Sequence, residues 1–395
     1  MRALLFSLML LLAACDQSPA PSTQDSPAPV TARPVAMSEQ EKALRAAVSE
    51  ASNQRLRRLN ATANGFADAI TGLLDDPGDA RLATAQQAWE HFYAGFNQAA
   101  VILECRAQSS EHGQARLARS DPFPILPGYI DSLARWPGSG IVNDTNVSLT
   151  REALLEQQGA TSDAEASLGF QVIQFLLFGE PEKTRAVADL ALPGAAPADT
   201  AEMAETEETE ETEDEAGTPA EPEPASADEP ATDAATALAA PDADGGEHGA
   251  ADYAPLPPEN QIERRRAYLA TATELLVEDI LLLAHNNSAL PQSVQDCPVS
   301  ALRRVTARLL LLANMDAEQS VAGDYMAANA QQIARDNLHQ ALTGWLEKDG
   351  ALAAWAYSQD ETIRPTLDPL LDSPPDANDV QALQQLHALL ARLEQ

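Results

Sequence analysis

Cysteine, aromatic and basic residues are all scarce in this chain: 3 Cys, 5% aromatic, and 25 Lys+Arg against 60 Asp+Glu in 395 residues. The shortage of positive charge argues against nucleic acid and against anionic lipid surfaces as partners, because binding either relies on a basic face. Long apolar runs are missing too. The longest, Ala3 to Leu12, is too short to span a bilayer. There is no HExxH or other paired-histidine motif of a zinc peptidase; the six histidines (91, 112, 248, 285, 339, 387) stand singly. Ser139, in Pro137-Gly138-Ser139-Gly140, lacks the spacing of a nucleophile elbow, and no glycine-rich phosphate loop occurs.

What the chain has in excess is acid, and it is concentrated. Between Arg185 and Arg264 lie 22 Asp+Glu and no Lys or Arg in 78 residues. Of the net charge of -35, the other 317 residues carry only -13, an ordinary balance for folded domains. The stretch Gly194 to Ala254 reads as a disordered acidic linker: low hydrophobicity, repeated like charge and frequent Pro leave too little apolar surface to offset the entropy of ordering it. A weak cation sponge is compatible with that composition. A selective metal site is not, since nothing fixes ligand geometry.

The N-terminus carries a short, specific signal. Arg2 is a positive n-region, Ala3 to Leu12 is apolar, and Leu12-Ala13-Ala14-Cys15 places small residues before a cysteine, followed by Ser/Pro/Ala-rich sequence. This predicts a bacterial lipoprotein signal over residues 1–14, lipid on Cys15, and a flexible tether over 15–37. The protein would then face the periplasm from a lipid anchor, in either the inner or the outer membrane. Asp16 resembles the inner-membrane retention signal of some enteric bacteria, a rule that varies between bacteria. In an oxidising compartment Cys105 and Cys297 are either a disulfide tying the two halves across the linker or two separate buried thiols.

Outside tether and linker, two helical blocks remain, 38–193 and 255–395. Ser38-Glu39-Gln40-Glu41 has capping-box spacing and opens a helix to about Leu74, stopped by Asp75-Asp76-Pro77-Gly78. A second helix starts at Asp79 and runs through Trp89, Phe92, Phe96 and Ile102, with Trp89, Phe92, Tyr93 and Phe96 as core rather than a cofactor box. Ser109 to Leu149, with four prolines, reads as a structured loop, and helix resumes from Thr150 to about Gly179. In the second block, Glu259–Ala289 and Pro298 to about Trp345 read as helical, followed by shorter helices near 351–357, 361–371 and 378–393. No convincing β-alternating run occurs. The expected fold is all-α: two antiparallel helical bundles with a cleft between them.

The segment Leu168 to Glu180, LGFQVIQFLLFGE, is similar to the signature of the imelysin-like (M75 peptidase) family, GxHxxE followed by an apolar run and a Gly. AWEHFYAGF around Trp89, PGYIDSLARWP from Pro127, RRRAYLATATELLVEDILLL from Arg264 and EQSVAGDY from Glu318 agree with that family in order and spacing. The resemblance implies two bundle-like halves with a cleft, an exported bacterial protein linked to iron uptake or regulation, and either metallopeptidase activity or metal binding without cleavage. The family's proposed ligands are the His and Glu of the motif. Here Gly169 is kept, but Gln171 and Gln174 stand at the His and Glu positions. Two neutral amides offer no nitrogen donor to a transition metal and no charge to offset its dehydration.

Glu318 and Asp324 are the carboxylates carried over from the family's second-half segment as candidate ligands for a residual divalent metal or iron, against a plainer reading as a solvated helix face. A further acidic ligand of some relatives would fall near Ala99 or Ala100. The expected function is therefore a non-catalytic binding or accessory lipoprotein in a metal-related pathway. A metallopeptidase using the remaining carboxylates and a structural scaffold for an envelope protein partner are the alternatives.

Overall fold

A computed structural model describes residues 37–181, 183–194, 255–285, 295–315 and 326–395. The expected signal peptide with Cys15, the acidic linker beyond Gly194, and both Glu318 and Asp324 lie outside the described residues. The fold is all-α. Thirteen α-helices occur among the described residues, with one two-stranded antiparallel ribbon, β1 (Gly179–Glu180) and β2 (Lys183–Thr184).

Helix α1 (Glu39–Asp75) is long because its apolar residues recur at helical spacing: Leu44, Val48, Leu56, Leu59, Ala63, Phe66, Ile70 and Leu73 are all buried along one stripe. It packs against α2 (Asp79–Gln98), α8 (Pro258–His285) and α11 (Ala351–Gln359). Helix α2 packs in turn against α10 (Ala328–Thr343), and α9 (Ser300–Ala313) against α13 (Val380–Leu393). Elements of both sequence blocks therefore contribute to one continuous core, and the described residues from Glu39 onward belong to one compact unit. No helix among the described residues is long and apolar enough to cross a membrane.

Several boundaries differ from the sequence reading. The second helix breaks at Ala99, whose φ of -90° and ψ of 0° end α2 before α3 (Ala100–Gln108) begins. That break absorbs the six-residue step from Phe96 to Ile102. The expected loop 109–149 contains α4 (Gly113–Ser120) and the single-turn α5 (Pro127–Ile130), and Pro127 occupies the helix start that proline favours. The expected helix 150–179 is two: α6 (Arg151–Gln157) and α7 (Phe170–Phe178). Between them the Gln158 side-chain oxygen accepts from the backbone N–H of Ser167 and Leu168 at 3.0 Å each, holding a non-helical link. Near the C-terminus, Glu361–Ile363 form a 3₁₀ turn leading into α12 (Arg364–Asp372).

Cys105 on α3 and Cys297, just before α9, are joined by a disulfide with a Cα–Cα distance of 5.2 Å and a sequence separation of 192. Both residues are buried.

Candidate functional site

Helix α7 is the centre of the molecule's polar interior. Phe170 through Leu177 are all buried, so the helix is covered on every side, and two of those buried residues are the amides Gln171 and Gln174. One turn apart, they share a face. Gly169 makes this placement feasible. It sits at φ +101°, and a Cβ there would lie 2.4 Å from the Arg119 carbonyl oxygen and 2.8 Å from that of Ser120. Only glycine lets α7 start so close to the end of α4. At the other end Gly179, at φ +74°, closes the helix.

Neighbouring elements hold α7 by its carbonyls. From α2, Trp89 Nε1 donates to Phe170 O at 3.1 Å and Gln86 Nε2 to Leu177 O at 3.0 Å. Arg185 Nε donates to Leu176 O at 3.0 Å, which places a cation at the negative end of the helix. Trp89 stacks on Tyr93 and Tyr93 on Phe96, Phe96 tilts against Phe170, and Phe92 meets Phe170 edge-on with centroids 4.8 Å apart. They are core, as their spacing indicated.

Gln171 donates into a buried network. Its Nε2 donates to the Tyr93 hydroxyl at 3.0 Å and to Asp121 Oδ1 at 2.9 Å, while the Tyr93 hydroxyl donates to Asp121 Oδ2 at 3.1 Å. Arg308, reaching over from α9, makes an ion pair with Asp121. The proton positions are mutually consistent, since each donor meets an acceptor. Burial, and then the Asp121 charge, push the Tyr93 hydroxyl pKa far above its ordinary value. Tyr93 is therefore a fixed neutral donor. Asp121 and Arg308 escaped the sequence reading. The available signals were an acid next to the helix-breaking Pro122 and a lone arginine in the apolar run Ala307–Leu312.

Gln171 Oε1 and Gln174 Oε1 are buried with no hydrogen-bond partner among the described residues. Gln174 also lines a pocket of about 520 Å³ with Gln86, Phe178, Glu180 and Arg185 on one side and Ala327 to Asn329 on the other. Ala99 is fully buried and Ala100 half-buried, and neither supplies a donor.

This donor set does not fit a transition metal. The pair offers two amide oxygens and no imidazole, and the carboxylate that Gln171 contacts, Asp121, is already neutralised by Arg308. Among the described residues there is no group of three or more His, Cys, Asp or Glu placed to hold a metal ion. Gly169, Gln171 and Gln174 come together on α7, whereas Glu318 and Asp324 fall in the undescribed stretch just before Met326.

A second buried charge cluster lies beside α7. Asp131, fully buried, accepts from Arg265 Nε at 2.6 Å and Nη2 at 3.2 Å, and from Arg185 Nη2 at 3.1 Å. Loss of solvation lowers the Arg185 pKa, against the pull of Asp131. This cluster ties the loop after α5, the segment after β2 and helix α8 together.

A family model described as Peptidase_M75, imelysin, matches residues 53–395. No curated protein matches the chain.

Proposed function

The chain belongs to the imelysin (Peptidase_M75) family, and on that premise we propose that it works as a binding or accessory protein of the bacterial cell envelope, in metal or iron uptake or regulation, without hydrolysing peptides. The carrying observation is the state of the buried pair on α7. At the two positions where the family motif resembled here has His and Glu, Gln171 is committed through its amide nitrogen to Tyr93 and Asp121, and Gln174 carries no charge. A water-activating or metal-ligating centre needs a base or an anion at this place. The N-terminal sequence around Cys15 supports a lipid anchor facing the periplasm, and the anchor is the proposed membrane attachment.

Metal analysis of the purified protein after dialysis tests the reading. The expected result is less than one equivalent of Fe or Zn per chain, no chelator-sensitive proteolysis, and a gain of retained metal in the double variant Gln171→His with Gln174→Glu. Stoichiometric metal in the wild type that is lost in Glu318→Ala would overturn it in favour of a site built from the remaining carboxylates.

A further inference from the structure

A small cavity lies between α1 and the turn that joins α10 to α11, on other elements than α7. Its volume is about 130 Å³, a few times the ~30 Å³ share of one water molecule, so it admits a single small ion and no larger cofactor. Arg55 of α1, Trp345 and Glu347 of the turn, and Gly350, Ala351 and Leu352 at the start of α11 line it. A Cβ on Gly344, another lining residue, would stand 3.1 Å from Arg55 Nη2, so the guanidinium rests over that glycine.

Arg55 is the unusual residue. Other arginines withdrawn from water here end on a carboxylate, Arg119 on Asp279 and both Arg185 and Arg265 on Asp131, or on backbone carbonyls, as Arg264 and Arg266 do. Half-buried Arg55 makes no ion pair or hydrogen bond among the described residues, and its Nη1 is sealed without an acceptor. Burial lowers its pKa, and no nearby carboxylate opposes that fall. The carbonyl end of α10 favours a cation at this place, yet no carbonyl among the described residues accepts from it. A cation taken out of water without a counter-ion is costly, and an anion in the cavity removes that cost.

The backbone adds donors of the same sign. Helix α11 starts at Gly350, which has no side chain to cap it, and its first bond runs from Ala354 N–H to Gly350 O at 3.1 Å. The N–H groups of Ala351 and Leu352 therefore have no carbonyl in the helix to donate to, and the positive end of the helix dipole borders the cavity. Trp345, 7% exposed, is part of the wall, and its Nε1 is likewise without an acceptor, whereas Trp89 Nε1 donates to Phe170 O. The one acid lining the cavity, Glu347, is exposed and forms no ion pair among the described residues. A guanidinium and a helix N-terminus, both unused, call for the same chemistry, an anion.

We propose that this cavity binds one small tetrahedral oxyanion of the phosphate class, held between the Arg55 guanidinium and the N-terminus of α11. The guanidinium donates to the ion's oxygens from α1, and the N–H groups of Ala351 and Leu352 donate from α11. Donors on two separate elements suit an ion whose oxygens point in several directions better than a planar carboxylate. Glu347 repels the ion and so limits its affinity. This site stands apart from the α7 reading, and neither depends on the other.

Isothermal titration of the full chain with sodium phosphate, sodium acetate and sodium chloride at matched ionic strength tests the proposal. Phosphate is expected to saturate one site per chain, acetate to bind more weakly and chloride not to saturate. Arg55→Gln should weaken phosphate at least roughly tenfold, the scale of one charge-assisted hydrogen bond, without lowering the melting temperature in phosphate-free buffer, because Arg55 makes no bond within the protein. Glu347→Gln, an exposed change that leaves the fold intact, should tighten phosphate severalfold; if Arg55→Gln fails to fold, this variant decides. Acetate binding as tightly as phosphate, an unchanged phosphate affinity in either variant, or no saturable phosphate binding above the chloride control would each overturn the proposal.

Discussion

Asp131 gives the sharpest test of how the two sequence blocks are held together. Its carboxylate is fully buried and lies between Arg265 at 2.6 Å and Arg185 at 3.1 Å; the two guanidinium groups are themselves nearly buried, with side-chain exposures of 5% and 9%. Asp131→Asn keeps the shape and can still accept from the backbone N–H of Ser132, now 2.7 Å from Oδ1. What it removes is the only negative charge that these guanidiniums contact by ion pair among the described residues. Breaking a buried pair by removing one partner costs about 3–5 kcal/mol, because the remaining charges are left unpaired in a poorly polarisable interior. Two arginines depend on this carboxylate, so the upper half of that range is expected. Arg265 keeps one bond, from Nη1 to Asp189 O at 2.8 Å, which holds the loss below the sum of two separate pairs.

The measurement is urea unfolding of wild type, Asp131→Asn, Arg265→Met and the double variant, with slopes compared to confirm a common unfolding reaction. Because the two residues share one interaction, the double variant should cost clearly less than the sum of the single variants, with a coupling of about 1–3 kcal/mol. A loss under about 1 kcal/mol for Asp131→Asn, the level of an exposed pair, would refute the argument. Additive losses would refute it as well, since they would mean that the carboxylate and Arg265 do not act as a unit.

Two further outcomes follow from the same geometry. Gly169→Ala should destabilise the chain by about 3 kcal/mol or more, since φ is +101° and the new Cβ meets two backbone carbonyl oxygens inside 3 Å; an unchanged melting temperature would show that α7 does not start as closely against α4 as described. Replacing Cys105 and Cys297 together by Ala should lower unfolding free energy by about 2–5 kcal/mol, because the bond closes a loop of 192 residues and constrains the unfolded chain; identical urea midpoints with and without reductant in the wild type would contradict that.

The helical fold was legible because its signals are local. α1 begins at Glu39 and ends at Asp75, where the capping box and the Asp-Asp-Pro-Gly stop indicated, and α13 covers the expected C-terminal stretch to Leu393. The misreadings have tertiary causes. Periodicity over 150–179 suggested one helix, but Gly169 has to take a left-handed φ to pass the end of α4, and that contact is invisible from Gly169's own neighbours in sequence. In the same way, prolines in 109–149 suggested loop, although Gly113–Ser120 forms a helix that packs on α8. Of the candidate site, Gly169, Gln171 and Gln174 were legible through a motif. Their partners were not: Asp121 is 50 residues from Gln171, and Arg308 is 187 from Asp121. Chain distance of that order leaves no periodic trace.

The chemistry of α7 also explains why a change at one motif position would accompany a change at the other. On the proposed reading, an imidazole at position 171 and a carboxylate at position 174 would share a cation on this face. Remove the imidazole and the cation is held less tightly, and a carboxylate at position 174, on a residue 2% exposed, becomes an unpaired buried charge costing several kcal/mol. An amide of nearly the same shape ends that cost, while its unpartnered oxygen costs only about 1–3 kcal/mol. Gln171 meanwhile places its amide nitrogen where Tyr93 and Asp121 can accept from it, and Arg308 balances Asp121, so the cluster is neutral without a metal. Gln171 and Gln174 thus belong together as one electrostatic solution, and restoring either acid or imidazole alone would recreate the imbalance that the pair avoids.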